Sequence, residues 1–396
     1  MAAGIYIHIP FCLKKCYYCD FFSKAIDDPE IRKVYTKALL KEITFYGKRY
    51  GKSFKADSIF FGGGTPSLME PELIEKIILA LKANFDIAED TEISMECNPA
   101  TATLEKLKGY KKAGVNRLSI GAQSFKDELL EGLGRLHKTQ DTLETVKLAR
   151  RAGIKNISLD LMFAIPGLGG ITWRRTLKAA ARLKPTHISF YSLEIAEGTE
   201  FGRRVKAGTM RETLVEIDRQ MYRDALEILK KKGYEPYEIS NAALPGMESR
   251  HNLKYWNFED YLSFGAGAHS FVKGVRYSNI DNIEEYIKLL QRQDFSKENT
   301  LGNSQTYAAG CVDNYHINSF EDNVSEYVFT ALRTRKGVDF ANFENRFKNS
   351  FWDIYQTQRM EFEKYVKDGY AVSDNKHIAL TEKGINISNK IMALFV

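Results

Sequence analysis

Between residues 4 and 193, six short runs rich in Ile, Phe, Val and Leu alternate with longer windows whose apolar residues recur three and four apart. This alternation constrains the fold more than any other feature. The short runs, residues 4–10, 58–61, 92–97, 117–121, 156–163 and 187–193, read as strands. The windows at 35–50, 71–84, 103–113, 141–152 and 172–183 read as amphipathic helices. Gly or Pro punctuates most junctions, among them Gly62–Gly64, Pro99, Gly114, Gly153, Pro166 and Pro185. Strand and helix in strict alternation imply parallel βαβ units. Six units fall short of the eight that close a barrel, so the pattern predicts an α/β fold built on an open, partial barrel.

The pattern changes after Glu194. Residues 211–232 read as a long amphipathic helix, 234–239, 262–264 and 270–277 as short strands, and 282–292 as another helix. The polar, aperiodic stretch 293–323 reads as a linker or insertion, the insertion itself being 297–320. Helical windows at 343–347 and 352–366 precede a hairpin, 370–373 and 378–380 around Asp374-Asn375. The implied division is a barrel over 1–233, a β-rich extension over 234–293, a linker over 294–323 and a small winged-helix-like domain over 324–396. Composition agrees with a packed globular chain, at 44% hydrophobic and 27% charged residues. Net charge is +6 with no run of five like charges, which gives no support to nucleic-acid binding. No apolar run spans a bilayer, and MAAGIYIHIPFC lacks the pattern of a secretory signal, so a cytoplasmic location is expected, with peripheral membrane contact compatible.

Three of the five cysteines crowd into Cys12-Leu-Lys-Lys-Cys16-Tyr-Tyr-Cys19, just after the first strand. An odd count this crowded is not a disulfide framework. Three thiolates on one short loop can hold three irons of a cubane cluster and leave the fourth iron open, whereas an ordinary cubane takes four cysteines. The alternative is zinc, with His8 as fourth ligand in an H-x3-C-x3-C-x2-C array.

C-x3-C-x2-C with an aromatic residue, Tyr18, before the last cysteine resembles the signature of radical S-adenosylmethionine (SAM) enzymes. In that superfamily SAM chelates the open iron, and an electron from the cluster splits it to methionine and a 5′-deoxyadenosyl radical. The six-unit pattern is similar to that superfamily's partial barrel. The resemblance gives Gly62-Gly63-Gly64-Thr65-Pro66 a role against the SAM amino group. By itself this segment is a tight turn and not a P-loop. By resemblance to the coproporphyrinogen oxidase-like branch, the SAM-contacting set is Tyr6, Tyr18, Gly63, Gly64, Thr65, Glu96, Gln123, Arg135 and Asp160.

Within that branch, Arg250-His251-Asn252-Leu-Lys-Tyr255-Trp256 resembles the H-N-x-x-Y-W motif of HemW-type haem chaperones. Imidazole is an axial haem ligand and aromatic rings can flank a porphyrin, so the motif implies haem contacts from His251, Asn252, Tyr255 and Trp256. His269, in a G-x-G-A-H run, is a second candidate ligand. Arg250 and Lys254 are candidates for the propionates. Phe21 stands where anaerobic coproporphyrinogen III dehydrogenases carry a further cysteine, and their long segment before the cluster loop has no counterpart here. The resemblance implies a carrier that binds a [4Fe-4S] cluster, SAM and haem and hands haem to acceptor proteins. The competing reading is radical chemistry on a porphyrin, either decarboxylation of coproporphyrinogen III or opening of haem. The resemblance also implies that the C-terminal tail covers the barrel mouth.

Overall fold

The computed structural model describes residues 2–294 and 300–396; residues 295–299 of the expected linker, among them 297–299 of the insertion, lie outside them. The six expected strands form as β1 (Ala3–Ile9), β2 (Lys55–Gly63), β3 (Asp86–Cys97), β4 (Arg117–Gln123), β5 (Asn156–Phe163) and β6 (His187–Ser192). They pair in parallel, each with the next. Between and after them run α1 (Pro29–Tyr50), α2 (Pro71–Asn84), α3 (Leu104–Ala113), α4 (Thr139–Arg151), α5 (Gly170–Arg182) and α6 (Val215–Lys230).

Side chains alternate along each strand. Ile5, Ile7, Ile9, Ile59, Phe61, Met95, Leu118 and Ile120 are buried beneath the helices and form the core. Their neighbours, including Ser58, Ser94, Ser119, Ser158, Asp160 and Ser189, line a polar interior. α1 starts six residues before its expected position. Pro29 takes the first helical place and the Asp28 carboxylate accepts from the Glu30 and Ile31 N–H groups, a start signal plain in the sequence.

The barrel does not close. β7 (Glu235–Glu238) and β8 (Asn241–Ala243) continue the sheet antiparallel beyond β6. On the other side β9 (Tyr261–Phe264) runs parallel to β1, followed antiparallel by β10 (His269–Val272), β11 (Val275–Asn279) and β12 (Val312–Ile317). The result is one twelve-stranded sheet, ordered β12-β11-β10-β9-β1-β2-β3-β4-β5-β6-β8-β7. β12 falls inside the stretch read as a linker. It is an edge strand whose residues after Val312 are all exposed, so no buried face imposes a period on it.

A short helix, α7 (Arg250–Trp256), plugs the barrel at the strands' N-terminal ends, and Ser249 caps it by accepting from the Asn252 N–H. α8 (Ile283–Arg292) packs outside, against α1. The tail contains α9 (Phe320–Ala331), α10 (Phe340–Phe347), α11 (Gln356–Lys367) and a small antiparallel sheet, β13 (Val338–Asp339), β14 (Ala371–Ser373) and β15 (His377–Leu380), in the order β13-β15-β14. The tail docks on the barrel floor and not, as expected, over the mouth. Arg335 N–H donates to the Tyr237 carbonyl at 3.0 Å, and Arg346 Nη1 to the Phe258 carbonyl at 2.7 Å. The Arg333 guanidinium lies 4.7 Å from the centre of the Trp256 ring. The apolar face of α9, with Tyr327 edge-on to Phe258, finds its complementary apolar surface there.

Candidate functional site at the barrel mouth

Just beyond β1 come buried Phe11 and Cys12, and the chain then loops out with Cys16 and Cys19 partly exposed. Backbone bonds fix this loop: Tyr17 N–H to the Leu133 carbonyl at 3.1 Å, Cys19 N–H to the Cys16 carbonyl at 3.2 Å, and Lys24 N–H to the Pro10 carbonyl at 2.8 Å. Thr65 Oγ1 donates to Cys12 Sγ at 3.5 Å and Arg135 Nη1 to Cys16 Sγ at 3.8 Å. Arg135 is anchored by the Gly121 carbonyl at 2.8 Å and by His137 Nδ1 at 3.3 Å. A fixed cation beside three thiols suits an iron–thiolate cluster of net negative charge. Burial pushes the Cys12 and Cys19 thiols up, the opposite of what a lone reactive thiolate needs and what bound iron would offset.

The zinc alternative does not fit. His8 is buried; its Nε2 donates to the Phe22 carbonyl at 2.8 Å, and its Nδ1 accepts from Tyr6 OH at 3.1 Å. Both ring nitrogens are engaged, and burial lowers the imidazole pKa to about 4. Among the described residues no three His, Cys, Asp or Glu side chains converge on a point that would hold one ion. Cys97 is buried with Ser67 and Lys106 as neighbours, and Cys311 is buried with its thiol donating to Glu42.

The glycines are required by the protein's own packing. A Cβ on Gly63, whose φ is +109°, would lie 2.6 Å from His8 Cε1. A Cβ on Gly64 would lie 2.7 Å from the Phe11 carbonyl and 3.0 Å from Cys12 Sγ. The segment is small because the protein's own cluster loop and His8 press against it, and this brings the end of β2 up to the cysteines.

Facing the loop are Glu96 and Asp160. Glu96 accepts from the Gly63 N–H at 3.1 Å; burial first, and then the charge of Asp160, push its carboxyl up to about 8. Asp160 accepts from the hydroxyls of Ser119, Ser158 and Ser189 at 2.8–3.2 Å. Gln123 sits at φ +58°, a strained conformation for a side-chain-bearing residue, and its Oε1 accepts from Tyr191 OH at 2.7 Å. Tyr18 is packed beside Arg135. The structure therefore brings Tyr18, Gly63, Gly64, Thr65, Glu96, Gln123, Arg135 and Asp160 into the upper barrel around the loop, whereas Tyr6 lies lower, its ring stacked on Phe60 and His251 and its hydroxyl bonded to His8. Ser119, Ser189 and Tyr191 were missed; polar residues at every second position of β4–β6 are the signal that marks them.

The haem motif lies elsewhere. His251 is 1% exposed, on the barrel floor. Its Nδ1 is hydrogen-bonded to Ser58 Oγ at 3.1 Å and its Nε2 to Tyr255 OH at 2.9 Å, and its ring stacks on Phe60. Burial, with Lys254 and Arg117 nearby, lowers its pKa to about 3. Asn252 belongs to the cap of α7, and Trp256 lies under Arg333. Lys254 bonds to Asp57, Glu259 and the Ala2 carbonyl, and Arg250 to Asp90, so both cations are held within the protein. His269, by contrast, is exposed, at the mouth-side turn between β9 and β10. That turn is fastened from behind by buried Glu42, which accepts from the Gly265 N–H at 2.9 Å, Asn279 Nδ2 at 2.7 Å and Tyr286 OH at 2.6 Å.

Comparison with known proteins places these observations. Residues 6–180 match the model of the radical SAM superfamily, and residues 319–387 that of the HemN C-terminal domain. The chain is 32% identical to heme chaperone HemW of Lactococcus lactis, over 99% of this chain and 96% of that protein. It is 33% identical to heme chaperone HemW of Bacillus subtilis, over 99% and 98%. With heme chaperone HemW of Escherichia coli identity is 38%, over 68% of this chain and 70% of the other. Among solved structures, coproporphyrinogen III oxidase (HemN) of Escherichia coli superposes with a TM-score of 0.84 at 22% identity, covering 100% of this chain and 90% of that one; that likeness concerns the fold alone.

Proposed function

The chain belongs to the HemW-type heme chaperone family of the radical SAM superfamily, and on that premise we propose that it binds a [4Fe-4S] cluster, SAM and haem, and passes haem to acceptor proteins. The observation that carries the proposal is full-length similarity to two heme chaperones combined with a mouth whose donor set suits a cluster and a cationic cofactor.

Cys12, Cys16 and Cys19 are the proposed cluster ligands, supported by the Thr65 hydroxyl and the Arg135 guanidinium. When bound, the cluster supplies an open iron for the amino and carboxylate groups of SAM and an electron for its cleavage. Glu96 and Asp160 present two carboxyl groups to a ligand bearing a sulfonium and an ammonium. The serine hydroxyls on Asp160 and the Gly63 N–H on Glu96 hold those carboxyls in place before any ligand arrives. Tyr191, bonded to Gln123, closes the interior below. No helix among the described residues is long and apolar enough to cross a membrane. We place the carrier in the cytoplasm, exchanging haem with protein partners.

The test is anaerobic reconstitution with iron and sulfide, followed by haem titration with and without SAM. A carrier holds intact haem, about one per chain, and releases it unchanged. A decarboxylated or ring-opened tetrapyrrole formed in step with 5′-deoxyadenosine would replace this reading with that of a radical enzyme.

A further inference from the structure

The chain has seven histidines, all among the described residues. Six have at least one ring nitrogen bonded to the protein: His8, His137, His187, His251, His316 and His377. His269 is exposed and has no hydrogen-bond partner for its ring among the described residues. An axial haem ligand must offer a free imidazole nitrogen to iron, and His269 offers one without breaking any existing bond.

Its setting suits a tetrapyrrole. His269 opens β10 at the mouth end, opposite Ser278 of β11. β10 is two strands from β1, roughly 10 Å, and the intervening turn carries Gly267, φ +71°, where a Cβ would lie 2.7 Å from Phe22 Cδ1 of the cluster loop. The loop and the turn are thus in contact, and beside Phe22 the Phe21 side chain is 69% exposed. Lys15 Nζ donates to the Phe21 carbonyl at 3.2 Å, which places an exposed ammonium at the same spot. An imidazole, a bare phenyl face and a cation match the iron, the apolar macrocycle and the carboxylates of haem. The sheet is not closed on this side of the barrel, and the tail is docked at the other end.

We infer that haem binds at the mouth, on the junction of the cluster loop and the β9–β10 turn, with His269 as axial ligand, Phe21 against the macrocycle and Lys15 toward a propionate. This rests on the haem-carrier reading. In it, His251 is a floor residue that orders α7. The haem site then shares its loop with the cluster ligands, so loading of the cluster and loading of haem act on the same segment.

The test titrates the anaerobically reconstituted full-length chain with ferric haem and follows the Soret band. His269→Ala is expected to shift the band and weaken binding about ten-fold or more, and free imidazole is expected to restore the wild-type spectrum. Phe21→Ser is expected to weaken binding with cluster absorbance retained. His251→Gln, if it folds, is expected to leave the haem spectrum unchanged. An unshifted spectrum in His269→Ala overturns this assignment alone, as does a spectrum lost in folded His251→Gln. A wild-type chain that takes up no haem overturns the carrier reading, and this assignment with it.

Discussion

The two ends of this barrel are built from similar residues and used differently. At the floor, His251, Ser58, Tyr255, Lys254, Asp57 and Glu259 bond one another, and the tail covers them. At the mouth, Glu96 and Asp160 face each other with raised pKa values, Gln123 is held in strained backbone, and His269 has no partner among the described residues. Mutually satisfied polar groups specify a fold, whereas polar groups held in unfavourable company mark where a ligand restores balance. A motif's residue types therefore say less than the end of the barrel on which it sits.

The largest expected effect is loss of the mouth's metal. Cys12→Ala, Cys16→Ala and Cys19→Ala should each abolish cluster assembly, read as iron, sulfide and visible absorbance after reconstitution. Cys97→Ala and Cys311→Ala should keep it, and a cluster persisting in Cys12→Ala would remove the mouth's central role.

Gly63→Val comes next. It places a β-branched side chain at φ +109° against His8. The backbone strain alone is about 1–3 kcal/mol. Weakened SAM binding with cluster content near wild type is expected by titration; unchanged SAM affinity would show that this turn does not shape the cofactor site.

At the floor, His251→Ala leaves the Ser58 and Tyr255 hydroxyls without their partner. A stability loss of about 1–3 kcal/mol is expected in denaturant unfolding, with SAM affinity retained. If SAM binding fell as far as stability, the separation of the two ends would be wrong.

The smallest effect is a proton. The Glu96 carboxyl, raised to about 8, is mostly neutral at neutral pH. A bound cation favours its ionised form, so binding releases up to about one proton, and affinity for SAM should climb with pH until about 8 and then level off. Calorimetric titration in buffers of differing ionisation enthalpy would read this directly. Equal heats in all buffers would show that Glu96 does not meet the cation.

The contrast also explains what could be read from sequence. The six strands and the cysteine loop were legible because apolar periodicity and ligand spacing are local. The start of α1 was equally local, in Asp28-Pro29, and went unread. β12 was hidden because its exposed side chains carry no period. His251 bonds Tyr255 within the motif, but its other partner, Ser58, is 193 residues away, and Arg333 of the tail lies on Trp256, so the motif alone does not reveal its burial. The mouth residues were recognisable as a set only through resemblance. Their joint strain emerges when β3, β4 and β5 stand side by side.

The floor helix has a further consequence. The curl of the sheet is not secured by strand pairing around a full circle. α7 reaches from Ser58 on β2 to Asp90 and Glu92 on β3, with Gly4 of β1 against the His251 ring. It works as a spacer that sets how far the first three strands splay at one end, and through their stiffness how wide the other end gapes. The aperture offered to a flat cargo as broad as a tetrapyrrole is then gauged at the floor, and a bulkier or slimmer wedge there would change how fast such a cargo enters while the SAM contacts and the haem ligand at the rim stay as they are.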